Sequence, residues 1–97
     1  MELTSYFENK LKEPDYQHLK REWIEQTFSA PEFEIKEIDG RYARYRKIPE
    51  ADNQYLKVIV LKNRRTIKDA FIDLYFNPRK ARRRAQKSTH NARRPFY

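Results

Sequence analysis

Cysteine is absent from the 97 residues, so the chain has neither a disulfide staple nor thiolate chemistry, in keeping with a reducing compartment. Its single glycine, Gly40, excludes a glycine-rich loop of the kind that cradles phosphates. The two histidines, His18 and His90, stand far apart with no cysteine between them, which is not the close ligand spacing of a zinc motif. Neither a metal nor a cofactor is therefore expected. No run of about eighteen apolar residues is present to span a bilayer. The opening MELTSYFENK has no apolar signal-peptide core, so the expected compartment is the cytoplasm.

One further absence organises the charge: no carboxylate follows Pro78. Up to that residue, fourteen Lys and Arg meet fourteen Asp and Glu, so the body is neutral. The whole formal excess of +8 lies in Arg79, Lys80, Arg82, Arg83, Arg84, Lys87, Arg93 and Arg94. A neutral domain over residues 1–78 followed by a basic extension over 79–97 is the expected organisation. Asn77–Pro78 is a cap and first-turn pair for a helix in that extension. Like charges three or four apart, Arg79 with Arg83 and Lys80 with Arg84, oppose such a helix until an anion neutralises them.

Within the body, YLKVIVLKNRRTIKDAFIDLYF from Tyr55 to Phe76 reads as a β-hairpin. Leu56, Val58, Ile59, Val60 and Leu61 form a β-branched run interrupted only by Lys57, the pattern of a central strand. The return run intersperses Lys68, Asp69 and Asp73 with apolar residues, so part of its surface meets water or a ligand. Asn63, Arg64 and Arg65 make the turn, with Asn63 the residue expected to take positive φ. Upstream, Phe33, Ile35 and Ile38 mark a strand, and Asp39–Gly40 is the strongest turn signal in the chain. The strand from Arg41 to Ile48 sets Arg41, Ala43, Tyr45 and Lys47 on one face and Tyr42, Arg44, Arg46 and Ile48 on the other.

Before the strands, Leu3, Phe7 and Leu11 behind Thr4–Ser5 predict a short helix ending at Pro14. Tyr16, Leu19, Trp23 and Ile24 form the apolar stripe of a second helix from Asp15 to about Phe28. The expected fold is α+β: two N-terminal helices packed on a four-stranded antiparallel meander, with a basic C-terminal helix or tail.

Two clusters suit a polyanion. Guanidinium groups grip phosphates with bidentate geometry, so the basic extension fits a nucleic-acid backbone, with Phe96 and Tyr97 able to stack on bases. An acidic protein partner, or simple solvation, is the alternative. The second cluster sets Arg41, Arg44 and Arg46 with Tyr42 and Tyr45 on one strand beside Lys57 on the next. Ordinary cross-strand pairing of these cations with Asp69 and Asp73 is the competing reading. If Arg44 and Arg46 are exposed strand charges, their replacement by alanine leaves stability within about 1 kcal/mol. For proton transfer the available groups are His18, Lys57 and Tyr75. Helical phasing makes His18 an ordinary exposed histidine unless the helix begins after it.

The segments DGRYARYRKIPE, YLKVIVLK and IKDAFIDLYF resemble small bacterial toxins of the RelE-like and barnase/EndoU-related superfamily, over about Asp15 to Phe76. That resemblance implies a helix followed by a meander, RNA cleavage without metal on the sheet, and a partner antitoxin that holds the toxin inactive. It also implies that Arg44 and Arg46 match second-strand arginines, that Lys57 lies on the neighbouring strand, and that His18 matches a histidine before the main helix. The chain departs from the pattern in Asp69, where many relatives carry threonine, and in its arginine-rich extension.

The expected function is thus a toxin-like protein that binds RNA or the ribosome, with metal-independent endoribonuclease activity as its enzymatic form. The catalytic candidates are Arg44, Arg46, Lys57, His18 and Tyr75. The alternative is a non-catalytic basic protein that binds RNA or a partner through its arginine-rich tail.

Overall fold

In the computed structural model, which describes residues 1–82, seven regular elements follow one another. They are β1 (Glu2–Leu3), α1 (Ser5–Lys10), α2 (Arg21–Ser29), β2 (Phe33–Lys36), β3 (Tyr42–Ile48), β4 (Gln54–Val60) and β5 (Thr66–Asp73). Short 3-10 turns at Pro14–Tyr16 and Pro49–Ala51 join them, and residues 78–82 are helical.

The strands form one sheet in the order β1-β5-β4-β3-β2, antiparallel except that β1 runs parallel to β5. This corrects the expected four-stranded antiparallel meander: the sheet is five-stranded and mixed. The additional strand comes from residues whose spacing suggested helix alone. Two residues carry no periodic signal, and β1 exists because the free edge of β5 satisfies its backbone. The Glu2 amide donates to the Arg65 carbonyl at 2.8 Å and the Thr4 amide to the Ile67 carbonyl at 3.0 Å.

The helices also divide differently from the expected pair. Thr4 caps α1, its hydroxyl accepting from the Phe7 amide at 3.1 Å, and Phe7 is fully buried. The helix expected from Asp15 is broken in two, a 3-10 turn at Pro14–Tyr16 and then α2 beginning at Arg21 after an extended Lys20. Gln17 stabilises the break, its side-chain amide donating to the carbonyls of Leu11 and Glu13. Tyr16 is drawn toward β5, where its hydroxyl donates to Asp69 at 3.3 Å and accepts from Lys10 at 3.2 Å. These tertiary bonds override the continuous periodicity of the segment.

The turns follow local chemistry. The Glu37 amide donates to the Arg41 carbonyl and the Gly40 amide to the Glu37 carbonyl, closing a three-residue hairpin loop with Gly40 at φ 91°. Between β4 and β5 the left-handed residue is Arg64 at φ 62°, not Asn63. Asn63 serves the turn through its side chain instead, accepting from the Arg65 and Thr66 amides and donating to the Thr66 hydroxyl.

Both helices lie on one face of the sheet. Phe7, Leu19, Trp23 and Ile24 pack there against Ile48, Leu56, Val58, Val60, Ile67 and Ala70. No helix among the described residues is long and apolar enough to cross a membrane. Phe7→Ala is expected to cost about 3–5 kcal/mol, since a fully buried aromatic leaves a cavity on removal. By contrast, Ile38→Ala at the fully exposed hairpin tip should fall within about 0.5 kcal/mol of wild type. Thermal unfolding checks the contrast, at about 4–8 °C per kcal/mol for a domain of this size.

Candidate nucleic-acid interface

The pleat assigns each charged residue of the sheet to a face. In β3 and β4, Arg44 stands opposite Val58 and Arg46 opposite Leu56, so both arginines share the helix-covered face. Each guanidinium reaches the C-terminal end of α2. Arg44 Nη1 donates to the Phe28 carbonyl at 2.6 Å, and Arg46 Nη1 donates to the Ala30 carbonyl at 2.7 Å. These carbonyls lie at the end of a helix, where no further turn exists to satisfy them and where cations are favoured. Arg44 also pairs with Glu34 at 2.7 Å and covers the Phe28 ring, leaving its side chain only 13% exposed. The structure therefore gives Arg44 and Arg46 a structural role and separates them from Lys57.

Lys57 lies on the opposite face, called distal below. It is flanked by Tyr45 on β3 and Phe71 on β5, its direct cross-strand neighbours, with the ammonium 5.7 Å from each ring centroid. Glu37 at the end of the first hairpin lies 3.9 Å from the same ammonium. Burial pushes the Tyr45 phenol above its usual range, with Lys57 opposing and the charges of Asp73 and Glu37 reinforcing the shift. At neutral pH Tyr45 is therefore a neutral hydroxyl beside a cation and a carboxylate.

A cluster of rings adjoins this group. Beyond β5 the chain turns back over the distal face and lays Phe76 on Tyr45, with centroids 3.9 Å apart and planes 17° apart. Phe33 and Tyr55 meet Phe76 at 5.5 and 4.8 Å with their planes tilted by about 60°. Asn77 then caps the helical residues 78–82, its side-chain carbonyl accepting from the Arg79 and Lys80 amides. Ala81 is buried at 3% exposure, and Arg82 stands over the Phe33 ring at 5.8 Å. The domain boundary drawn at Pro78 thus falls at the first residue of this helical segment.

Two depressions flank the Tyr45–Lys57 pair. One, of about 290 Å³, is lined by Ile35, Tyr45, Asp73, Phe76 and Lys80 among others. The other, of about 410 Å³, lies among Glu37, Ile38, Arg41, Lys57 and Ile59. A wider depression of about 660 Å³ lies by β1 and α1, lined by residues that include Leu3, Glu8, Leu11 and Arg21, with no aromatic ring in its wall. The distal face is the better candidate because, unlike that depression, it joins rings, cations and carboxylates beside two depressions, and its cation Lys57 is not bound to a helix end as Arg44 and Arg46 are.

Of the sequence-derived candidates, Lys57 is central to the distal face, and Tyr75 is exposed at its margin beside Phe76. His18 is exposed in the turn that precedes α2. Arg79, Lys80 and Arg82 are exposed at the start of the basic extension, whereas Arg83, Arg84, Lys87, Arg93 and Arg94 lie outside the described residues. Glu37, Phe71 and Phe76 were not singled out from the sequence as site residues. Register is the signal that locates Phe71, because it stands directly opposite Lys57. Among the described residues, no group of three or more His, Cys, Asp and Glu is arranged to hold a metal ion. Comparison of the chain with protein-family models, curated proteins and solved structures yields no match.

Two measurements test these placements. Arg44→Ala is expected to cost about 1–3 kcal/mol, because it leaves the Phe28 carbonyl without its partner and removes the closer of the two arginines on Glu34; urea unfolding would show it as a lower midpoint at unchanged slope. In a spectrophotometric titration one tyrosine should ionise later than the exposed ones. A phenol held protonated by the fold stabilises it fully below the unfolded value of about 10, and that contribution is lost as pH rises through the folded value. Tyr45→Phe should abolish the late ionisation and this alkaline loss of stability.

Proposed function

We propose that the chain binds single-stranded RNA across the distal face of its sheet, with the basic extension holding the strand's phosphates. The observation that carries this reading is the joining of aromatic rings and cations on one face: Tyr45, Tyr55, Phe33 and Phe71 with Lys57, and Arg82 over Phe33. Stacking a base on an aromatic side chain contributes about 1–3 kcal/mol and tolerates any sequence. Arg79 and Lys80 extend from the same edge toward solvent, where phosphates can reach them. Glu37 and Asp73 repel a phosphate but accept from the amino groups of bases, so they favour bases turned toward the sheet. Binding of RNA or the ribosome is also what the resemblance to RelE-like toxins implies, and an acidic antitoxin could cover the same cations.

One observation favours cleavage as a second reading: Glu37, Lys57 and the neutral Tyr45 hydroxyl are gathered on one side of the sheet. In such a reaction Glu37 takes the 2′-hydroxyl proton while the 2′-oxygen attacks phosphorus. Lys57 faces the charge that builds on the phosphate, and Tyr45 protonates the departing 5′-oxygen. The products are a 2′,3′-cyclic phosphate and a 5′-hydroxyl.

Fluorescence anisotropy with a labelled single-stranded RNA tests the binding. If most of the eight excess charges meet phosphates, affinity should fall with salt at a log–log slope approaching roughly −5, using about 0.7 per phosphate. Lys57→Ala should weaken binding and flatten the slope by about 0.7. Wild-type affinity and slope in Lys57→Ala would remove the distal face from the interface. For cleavage, a cyclic-phosphate product formed in EDTA by wild type and lost in Glu37→Gln is expected; no product from wild type ends that reading.

A further inference from the structure

We propose that the place filled by Phe76 is a base-binding site, and that Phe76 is its occupant when no RNA is bound. The proposal rests on the RNA-binding reading above and deepens it. The geometry is that of a slot rather than a general apolar contact. Tyr45 forms a near-parallel floor 3.9 Å from the Phe76 centroid, whereas Phe33 meets the same ring edgewise at 5.5 Å and Tyr55 meets it tilted at 4.8 Å. A flat ring stacked on one aromatic and bounded by two others is the arrangement a nucleobase adopts on a stacking platform.

The occupant is attached lightly. Residues 74–77 pair with no strand, and Leu74 and Tyr75 point into solvent. The Phe76 amide reaches the Asp73 carbonyl only at 3.4 Å. Besides the Tyr75 amide, which donates to the Asp73 carboxylate at 3.0 Å, the ring packing and the buried Ala81 are what keep this segment on the sheet. Beside the slot lies the 290 Å³ depression, where Asp73 and Lys80 stand within its wall. The Asp73 carboxylate, which stays on β5, suits an exocyclic amino group, and the Lys80 ammonium, which moves with the segment, suits a phosphate of the same strand. A base entering the slot displaces the Tyr75 amide from the Asp73 carboxylate and can take its place there, and the displaced segment carries Arg79, Lys80 and Arg82 with it to the incoming strand.

Competition of this kind lowers apparent affinity by the fraction of molecules whose slot is free. Removing the competitor should therefore tighten binding, the reverse of what happens when a binding residue is lost. Titration of the full chain with a labelled oligoadenylate, which stacks well, provides the test. Phe76→Ala should bind about tenfold more tightly than wild type, and Tyr45→Leu at least tenfold more weakly. Phe76→Trp, which keeps the slot filled with a larger ring, should bind more weakly than wild type, and it decides the matter if thermal unfolding shows Phe76→Ala to be unfolded. Unchanged or weaker binding by a folded Phe76→Ala, or unchanged or tighter binding by Phe76→Trp, overturns the slot while leaving RNA binding in place. Absence of binding by wild type overturns the RNA-binding reading itself.

Discussion

Burial of Leu56, Val58 and Val60 beneath the helices is the constraint on which the rest of the molecule depends. Successive strand residues point to opposite faces, so fixing these three on the core side sends Tyr55, Lys57 and Ile59 to the other. Registration with the neighbouring strands then brings Tyr45 and Phe71 to either side of Lys57, and the candidate interface follows. A slip of one residue would bury Lys57 and expose the valines, a change that the apolar core strongly opposes.

The two arginine groups of the chain do different work because of that parity. Arg44 and Arg46, on the helix side, satisfy carbonyls at the end of α2 and thereby tie the helix to β3. Arg79, Lys80 and Arg82 belong to the segment that returns over the distal face. Net charge describes both groups alike, yet only the second is exposed beside the rings. The ion pair of Lys10 with Asp69 at 3.7 Å, and the Tyr16 hydroxyl between them, likewise serve to fix α1 against β5. This partly buried group orients α1, while the apolar cluster beneath the helices carries most of the stability.

Much of this was legible in the sequence, and the remainder was hidden for identifiable reasons. The Asp39–Gly40 turn and the central position of Leu56–Val60 follow from local residue chemistry. The alternation of β3 already set Tyr45 and Lys47 apart from Arg44 and Arg46. What composition obscured is that Lys57 shares the face of Tyr45 and not that of the arginines, because the hairpin register was open. The parallel strand at Glu2–Leu3 left no trace, since it is made by the edge of β5 and not by its own pattern. The return of Phe76 onto Tyr45 is a contact across 31 positions of sequence that no periodicity reports. His18 falls before α2 because the bonds of Tyr16 and Gln17 interrupt a helix whose apolar spacing runs on unbroken.

RNA bound across the distal face would perturb that face and leave the helix side unchanged. Amide and indole NMR shifts measured during titration with a short single-stranded RNA test it most directly. Trp23 is an internal reference, because its indole N–H is buried on the helix side with no hydrogen-bond partner among the described residues. Binding there predicts shifts at Tyr45, Tyr55, Lys57, Phe71 and Phe76 with the Trp23 indole unmoved. Shifts concentrated on α2 and the Trp23 indole, with the distal face silent, would contradict it.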